Sequence, residues 1–77
     1  MPIYYFDIQD GKPLPDLHGR ECSDVSEMKA QALVRLTEQA RNQLVDGDSR
    51  TLSVIVLDED RRPVFVATIA ITALQLA

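Results

Sequence analysis

An α+β fold is predicted by three features of this 77-residue chain. Runs rich in β-branched and aromatic residues lie towards both ends, one amphipathic stretch separates them, and glycine, proline and acidic residues mark the joints. Together they give ββαββ within a single domain, 1–77. A four-stranded antiparallel sheet carries one long helix on one face, and a crossover through the helix that returns parallel in the same sheet must be right-handed, which favours the order 2-1-3-4.

The first strand is Ile3-Tyr4-Tyr5-Phe6-Asp7-Ile8, stopped by the turn pair Asp10-Gly11. Lys12 to Gly19 holds Pro13, Pro15 and Gly19 and reads as a loop, so Arg20-Glu21-Cys22 is left as a short second strand at the sheet edge. Ser23 or Asp24 supplies the N-cap of a helix running from Asp24 to Val45, and Asp24 with Glu27 keeps the capping-box spacing. At 100° per residue Val25, Met28, Ala32, Leu33, Leu36, Ala40 and Leu44 form one stripe facing the sheet, while Glu27, Gln31, Arg35, Glu38 and Asn42 lie opposite. Gly47, after Asp46, closes the helix.

Thr51–Leu57 and Val64–Ile69 are the third and fourth strands, joined by the hairpin loop Asp58–Pro63. Alternation makes both apolar on both faces: Leu52, Val54 and Val56 point one way, Ile55 and Leu57 the other. One helix cannot cover both sides. Ala70–Ala77 fits either an extension of the last strand or a final helical turn.

A chain this short buries only about 60% of its unfolded surface and gains from a disulfide, a metal or a second subunit. Cys22 is the only cysteine and His18 the only histidine, which removes an internal disulfide and a closed zinc site and leaves oligomerisation. The formal charge is −4 with the cations scattered, the opposite of a nucleic-acid footprint. Met1–Asp10 lacks the pattern of a secretory signal, and Pro63–Ala77, though free of charged side chains, is shorter than the roughly 20 residues a spanning helix needs. No membrane or nucleic-acid partner is expected, and the expected location is cytoplasmic.

Met1-Pro2-Ile3-Tyr4-Tyr5-Phe6, Asp10-Gly11, Pro15-Asp16 with Gly19 and Glu21, the alanine-rich helix and Val56-Leu57-Asp58-Glu59-Asp60 together resemble a family of small bacterial proteins catalogued as a domain of unknown function. It is common in rhizobia and other alphaproteobacteria. The resemblance covers nearly the whole chain and implies a fold and a bacterial cytoplasmic setting, with no activity attached. The family pattern places glycine after the acidic run, where this chain has Arg61, so either the loop is rebuilt or a side chain at positive φ costs about 1 kcal/mol. Tyr4–Ile8, Asp10-Gly11, Pro15-Asp16-Leu17 and Gly19 also look like the partner-binding domain of HicB-type antitoxins. That likeness departs at Cys22, which is shifted from the family's cysteine, and in lacking a DNA-binding segment.

Among candidate sites, Cys22 and His18 are the residue types of a thiol nucleophile and its base, but an extended Gly19 to Cys22 sets them about 13 Å apart. Asp58, Glu59 and Asp60 suit a hard cation or simply a solvated turn. Asp7, Asp10, Asp16 and Glu21 would perturb one another only if they met. Tyr4, Tyr5 and Phe6 read as sheet packing. No catalytic, cofactor or metal residues are assigned. The expectation is a non-enzymatic interaction module, a homodimer or the binder of another protein, using a sheet face or edge with Ile55, Leu57, Phe65 and Ile69 as the candidate interface. The alternatives are a small-ligand or metal-sensing domain and a HicB-like partner-binding protein.

Overall fold

A computed structural model describes residues 1–42 and 49–77. Its elements are β1 (Ile3–Gln9), β2 (Pro13–Leu14), β3 (Arg20–Glu21), α1 (Val25–Asn42), β4 (Ser49–Leu57) and β5 (Pro63–Thr72). All pairings are antiparallel; the sheet runs β2-β1-β4-β5, with β3 also on β1, beside β2. The expected antiparallel α+β architecture stands, while the strand count and order differ slightly: among the described residues the sheet has five strands, and β2 takes the path beside β1 with β3 off it. Pro13–Leu14, expected in a loop, pairs as Ile8↔Leu14 and Gln9↔Pro13, because an edge strand tolerates a proline that turns its missing N–H away from the ladder.

The helix starts where the capping residues place it. The Glu27 N–H donates to Asp24 Oδ1 at 2.8 Å, and the Glu27 carboxylate returns to accept from both the N–H and the hydroxyl of Ser23. Both spacings are used, Asp24 as cap and Ser23 as the residue held behind it. The expected C-terminal stretch with Leu44, Asp46 and Gly47 lies outside the described residues.

Met28, Ala32, Leu36 and Ala40 are buried in a strict four-residue row against Phe6, Leu52, Val54 and Val56. Leu33 departs from expectation at 51% exposed, and Val25 is exposed too. Five residues at 100° carry Leu33 about 140° round the helix from Met28, onto the outer flank, and Val25 lies in the first turn. Arg35 departs the other way. Its guanidinium lies 4.6 Å from the centre of the Phe6 ring, since a long stem lets a cation cover apolar surface from the flank of the packing stripe.

The register sorts the sheet into a helix side and an open side. Phe6↔Val56↔Phe65 and Ile8↔Val54↔Ala67 lie beneath the helix, whereas Tyr5↔Leu57 and Asp7↔Ile55↔Val66 lie on the other face. The last strand is longer than expected, taking in Ala70–Thr72, which settles the fate of that part of the tail. Ala73–Ala77 follows without regular structure, and Leu74 and Leu76 are 79% and 88% exposed, so they shield neither face. At 52 × 22 × 16 Å the molecule is long and two layers thick. Its radius of gyration is 13.8 Å, against about 11 to 12 Å for a compact domain of this length.

Candidate functional site

The features that distinguish one part of this molecule from another are the two edges of its sheet. On the β1 edge, β2 pairs with one end of the strand and β3 with the other, and the loop between them leaves the middle without a strand partner. Asp16 fills that gap. Its Oδ2 accepts the Phe6 N–H at 3.1 Å, taking the place of a strand carbonyl, and its Oδ1 accepts from the N–H groups of His18 and Gly19. The Asp16 N–H in turn donates to Asp7 Oδ1 at 2.9 Å, and Arg35 stands 3.9 Å from the carboxylate. Burial pushes the Asp16 carboxyl up. The donors from Phe6, Gly19 and His18, helped by Arg35, outweigh it and leave the pKa below its ordinary 3.8.

Gly19 makes this turn possible. Its φ is +74°, and a Cβ there would sit 2.8 Å from Ile3 Cγ2 and 3.2 Å from the Tyr4 carbonyl oxygen. The loop is thus pressed onto β1 at the one residue with no side chain.

Arg61 answers the question raised by its place in the β4–β5 hairpin. The loop is not rebuilt: Arg61 takes φ +63° and donates its N–H to the Asp58 carbonyl. A type I turn followed by a left-handed residue fits this three-residue loop, a position where glycine is at ease. Here the guanidinium lies 3.8 Å from the centre of the Tyr5 ring on the open face and reaches the Asp16 carbonyl at 3.5 Å. Tyr5 is therefore engaged by a cation from within the chain.

The acidic hairpin is a turn scaffold. Asp58 Oδ1 accepts from the N–H groups of Asp60 and Arg62, and Glu59 accepts from the Ile3 N–H. Asp58, Glu59 and Asp60 with Pro2, Ile3 and Tyr4 line an open depression of about 300 Å³. Among the described residues, no group of three or more His, Cys, Asp or Glu side chains is placed to hold a metal. The first-loop acids separate as well: Asp7 and Asp16 meet through a backbone N–H, Asp10 pairs with Arg50 at 3.5 Å, and Glu21 is exposed on β3. Cys22 is wholly buried, and burial, then Glu27, pushes its thiol up, while His18 is exposed. Those two residues share no site.

Ile55, Leu57, Phe65 and Ile69 do not share a face. Ile55 and Leu57 are on the open side, whereas Phe65 and Ile69 pack towards the helix. The cause is a bulge. From Leu57↔Pro63 an unbroken ladder would continue to Ile55↔Phe65 and place all four together, but the register shifts between Val56 and Leu57, giving Val56↔Phe65. One extra residue, Val64, turns every later side chain to the opposite face. Sequence alternation carries no sign of such an insertion.

The opposite edge is the outer side of β5. From Pro63 to Thr72 it has no charged side chain, its only proline is the first residue, and it pairs with β4 alone among the described residues. Its helix-side residues Phe65, Ala67, Ile69 and Ile71 are only partly buried, and Val66 on the open side is 57% exposed. Thr68 shares a hydrogen bond of 2.9 Å with Ser53. Neither hydroxyl is apolar or ionisable, so the sequence pattern carries no signal for this pair.

Fold and surface together define a small α+β domain whose distinctive feature is a sheet with one closed edge and one open edge. The chain belongs to the DUF6894 family, a domain of unknown function, whose model matches residues 3–70. No curated protein and no solved structure matches it. Among the described residues, no helix is long and apolar enough to cross a membrane.

Proposed function

We propose that this chain is a non-enzymatic protein-interaction module that associates through its sheet, as a homodimer. The observation that carries this reading is β5: a ten-residue strand paired on one side only among the described residues, with no charge along it and partly buried apolar residues beside its outer side. Proteins guard such edges with lysine, proline or a covering loop, and an unguarded one is a template for another strand. Among the described residues β5 pairs with β4 alone and the C-terminal Leu74 and Leu76 stand exposed, and the elongated shape limits what the chain buries by itself.

Sedimentation equilibrium from low to high micromolar concentration tests the reading. A monomer–dimer equilibrium supports it. A well-folded monomer throughout the range rejects it.

A ligand- or metal-sensing role gains nothing from the acidic loops, whose best-placed carboxylates, Asp16 and Asp58, are bonded to backbone N–H groups. Thermal melts with calcium, magnesium or zinc separate the two readings, because a native-state ligand raises stability by mass action. A HicB-like role rests on the order of elements alone.

A further inference from the structure

We infer that the partner at the open edge is a second copy of this chain, its β5 running antiparallel to the first about a two-fold axis at Thr68. The inference rests on the homodimer reading above and adds the symmetry axis and the register.

The register follows from three constraints. An antiparallel pair related by a two-fold axis through residue r sets residue i opposite residue 2r − i, which keeps every side chain on its own face of the joint sheet. The middle of Pro63–Thr72 falls between Ala67 and Thr68, so these are the two axes that pair the strand along its length. An axis at Ala67 sets Val66 opposite the partner's Thr68, an apolar residue against a hydroxyl, and brings Pro63, at the bulged end of the strand, against Ile71. An axis at Thr68 leaves Pro63 and the bulged Val64 outside and pairs the regular stretch Phe65–Ile71 throughout.

The side chains suit the second arrangement. On the helix side Ala67 meets the partner's Ile69, and Phe65 meets the partner's Ile71, adding apolar contact to residues that one chain buries only in part. On the open side Val66 meets the partner's Ala70. Thr68 faces its own copy, so its 2.9 Å bond to Ser53 becomes one half of a row of four hydroxyls crossing the seam. Each chain has a formal charge of −4, yet none of that charge lies on the strand that meets its copy, so the seam sets no like charges opposite each other.

The far edge explains why pairing stops at two. β1 is screened by β2, β3 and the Asp16 carboxylate, so joining the two β5 edges consumes the open edges of both chains. The result is closed by its own symmetry.

Disulfide trapping of the full chain tests the register. Opposed Cα atoms in an antiparallel pair lie about 4.5 to 5.5 Å apart, within disulfide range, so Thr68→Cys should oxidise to a covalent dimer. Ala70→Cys is the control: four residues separate the two copies, about 14 Å, and its yield should be about tenfold lower. Cys22 is wholly buried and stays in place in both variants. A dimer by sedimentation that Thr68→Cys fails to trap, or that Ala70→Cys traps equally well, overturns the register while leaving the interaction reading intact. A monomer at every concentration overturns both.

Discussion

The two edges of this sheet are built from the same kind of extended backbone and end in opposite states. At β1 the chain folds back, places two short strands, and plugs the remaining gap with the carboxylate of Asp16. At β5 a strand of ten residues presents its outer side with neither a charge nor an interior proline. The difference shows that exposure of an edge is decided by a few residues that occupy hydrogen-bonding groups, since both strands pair with β4 on their inner sides, β1 through five residue pairs and β5 through nine. Variants that open the closed edge or guard the open one are therefore the informative ones.

The largest effect is expected at Gly19. Gly19→Ala adds a Cβ at φ +74° and 2.8 Å from Ile3 Cγ2, combining a left-handed penalty with overpacking. A loss of about 2 to 4 kcal/mol in urea unfolding is expected. A change below about 0.5 kcal/mol would show that the loop does not press on β1 as described.

Asp16 comes next. Asp16→Ala leaves the N–H groups of Phe6, His18 and Gly19 without their acceptor and should cost about 2 to 3 kcal/mol. Asp16→Asn should also weaken the site, because three donors converge on two oxygens and an amide must turn its NH₂ towards one of them. The native pKa lies below the unfolded value of 3.8, so the ionised group's stabilisation is complete above that value and is lost as pH falls through the lower folded one. Asp16→Asn should flatten that acid limb of the stability profile. An unchanged limb would remove Asp16 from the account of the closed edge.

At the open edge, Thr68→Lys sets two ammonium groups face to face across the two-fold axis. The dimer dissociation constant should rise about tenfold or more, equivalent to about 1.4 kcal/mol. The matching change on the closed edge, Leu14→Lys on β2, should leave association unaltered. Equal effects from both would erase the contrast between the edges.

Much of this contrast was written in the sequence, and its decisive parts were not. Pro13, Pro15 and Gly19 announced an irregular edge, and Asp24 with Glu27 announced the start of the helix, because local chemistry governs turns and caps. Asp16 looked like any loop acid. Its role depends on the unpaired N–H of Phe6, ten residues earlier, a tertiary fact that no local pattern encodes. Ile55 and Leu57 part from Phe65 and Ile69 for a related reason: Val64 as a bulge reverses the faces of β5, while the alternation of apolar residues reads equally well in either sense.

The smallest effect, and the sharpest test of local compensation, belongs to Arg61, which ties the hairpin to the closed edge. A non-glycine residue at φ +63° is strained by about 1 kcal/mol, whereas its guanidinium over Tyr5, 3.8 Å from the ring centre, returns about 0.5 to 1 kcal/mol. Arg61→Gly removes both terms and should fall within about 0.5 kcal/mol of the parent chain. Arg61→Ala keeps the strain and loses the stacking, so it should be less stable than the glycine variant by about 1 kcal/mol. Guanidinium denaturation of the three proteins side by side measures the difference. If alanine and glycine prove equal, the left-handed backbone is not what position 61 contributes, and the stacking on Tyr5 alone accounts for an arginine there.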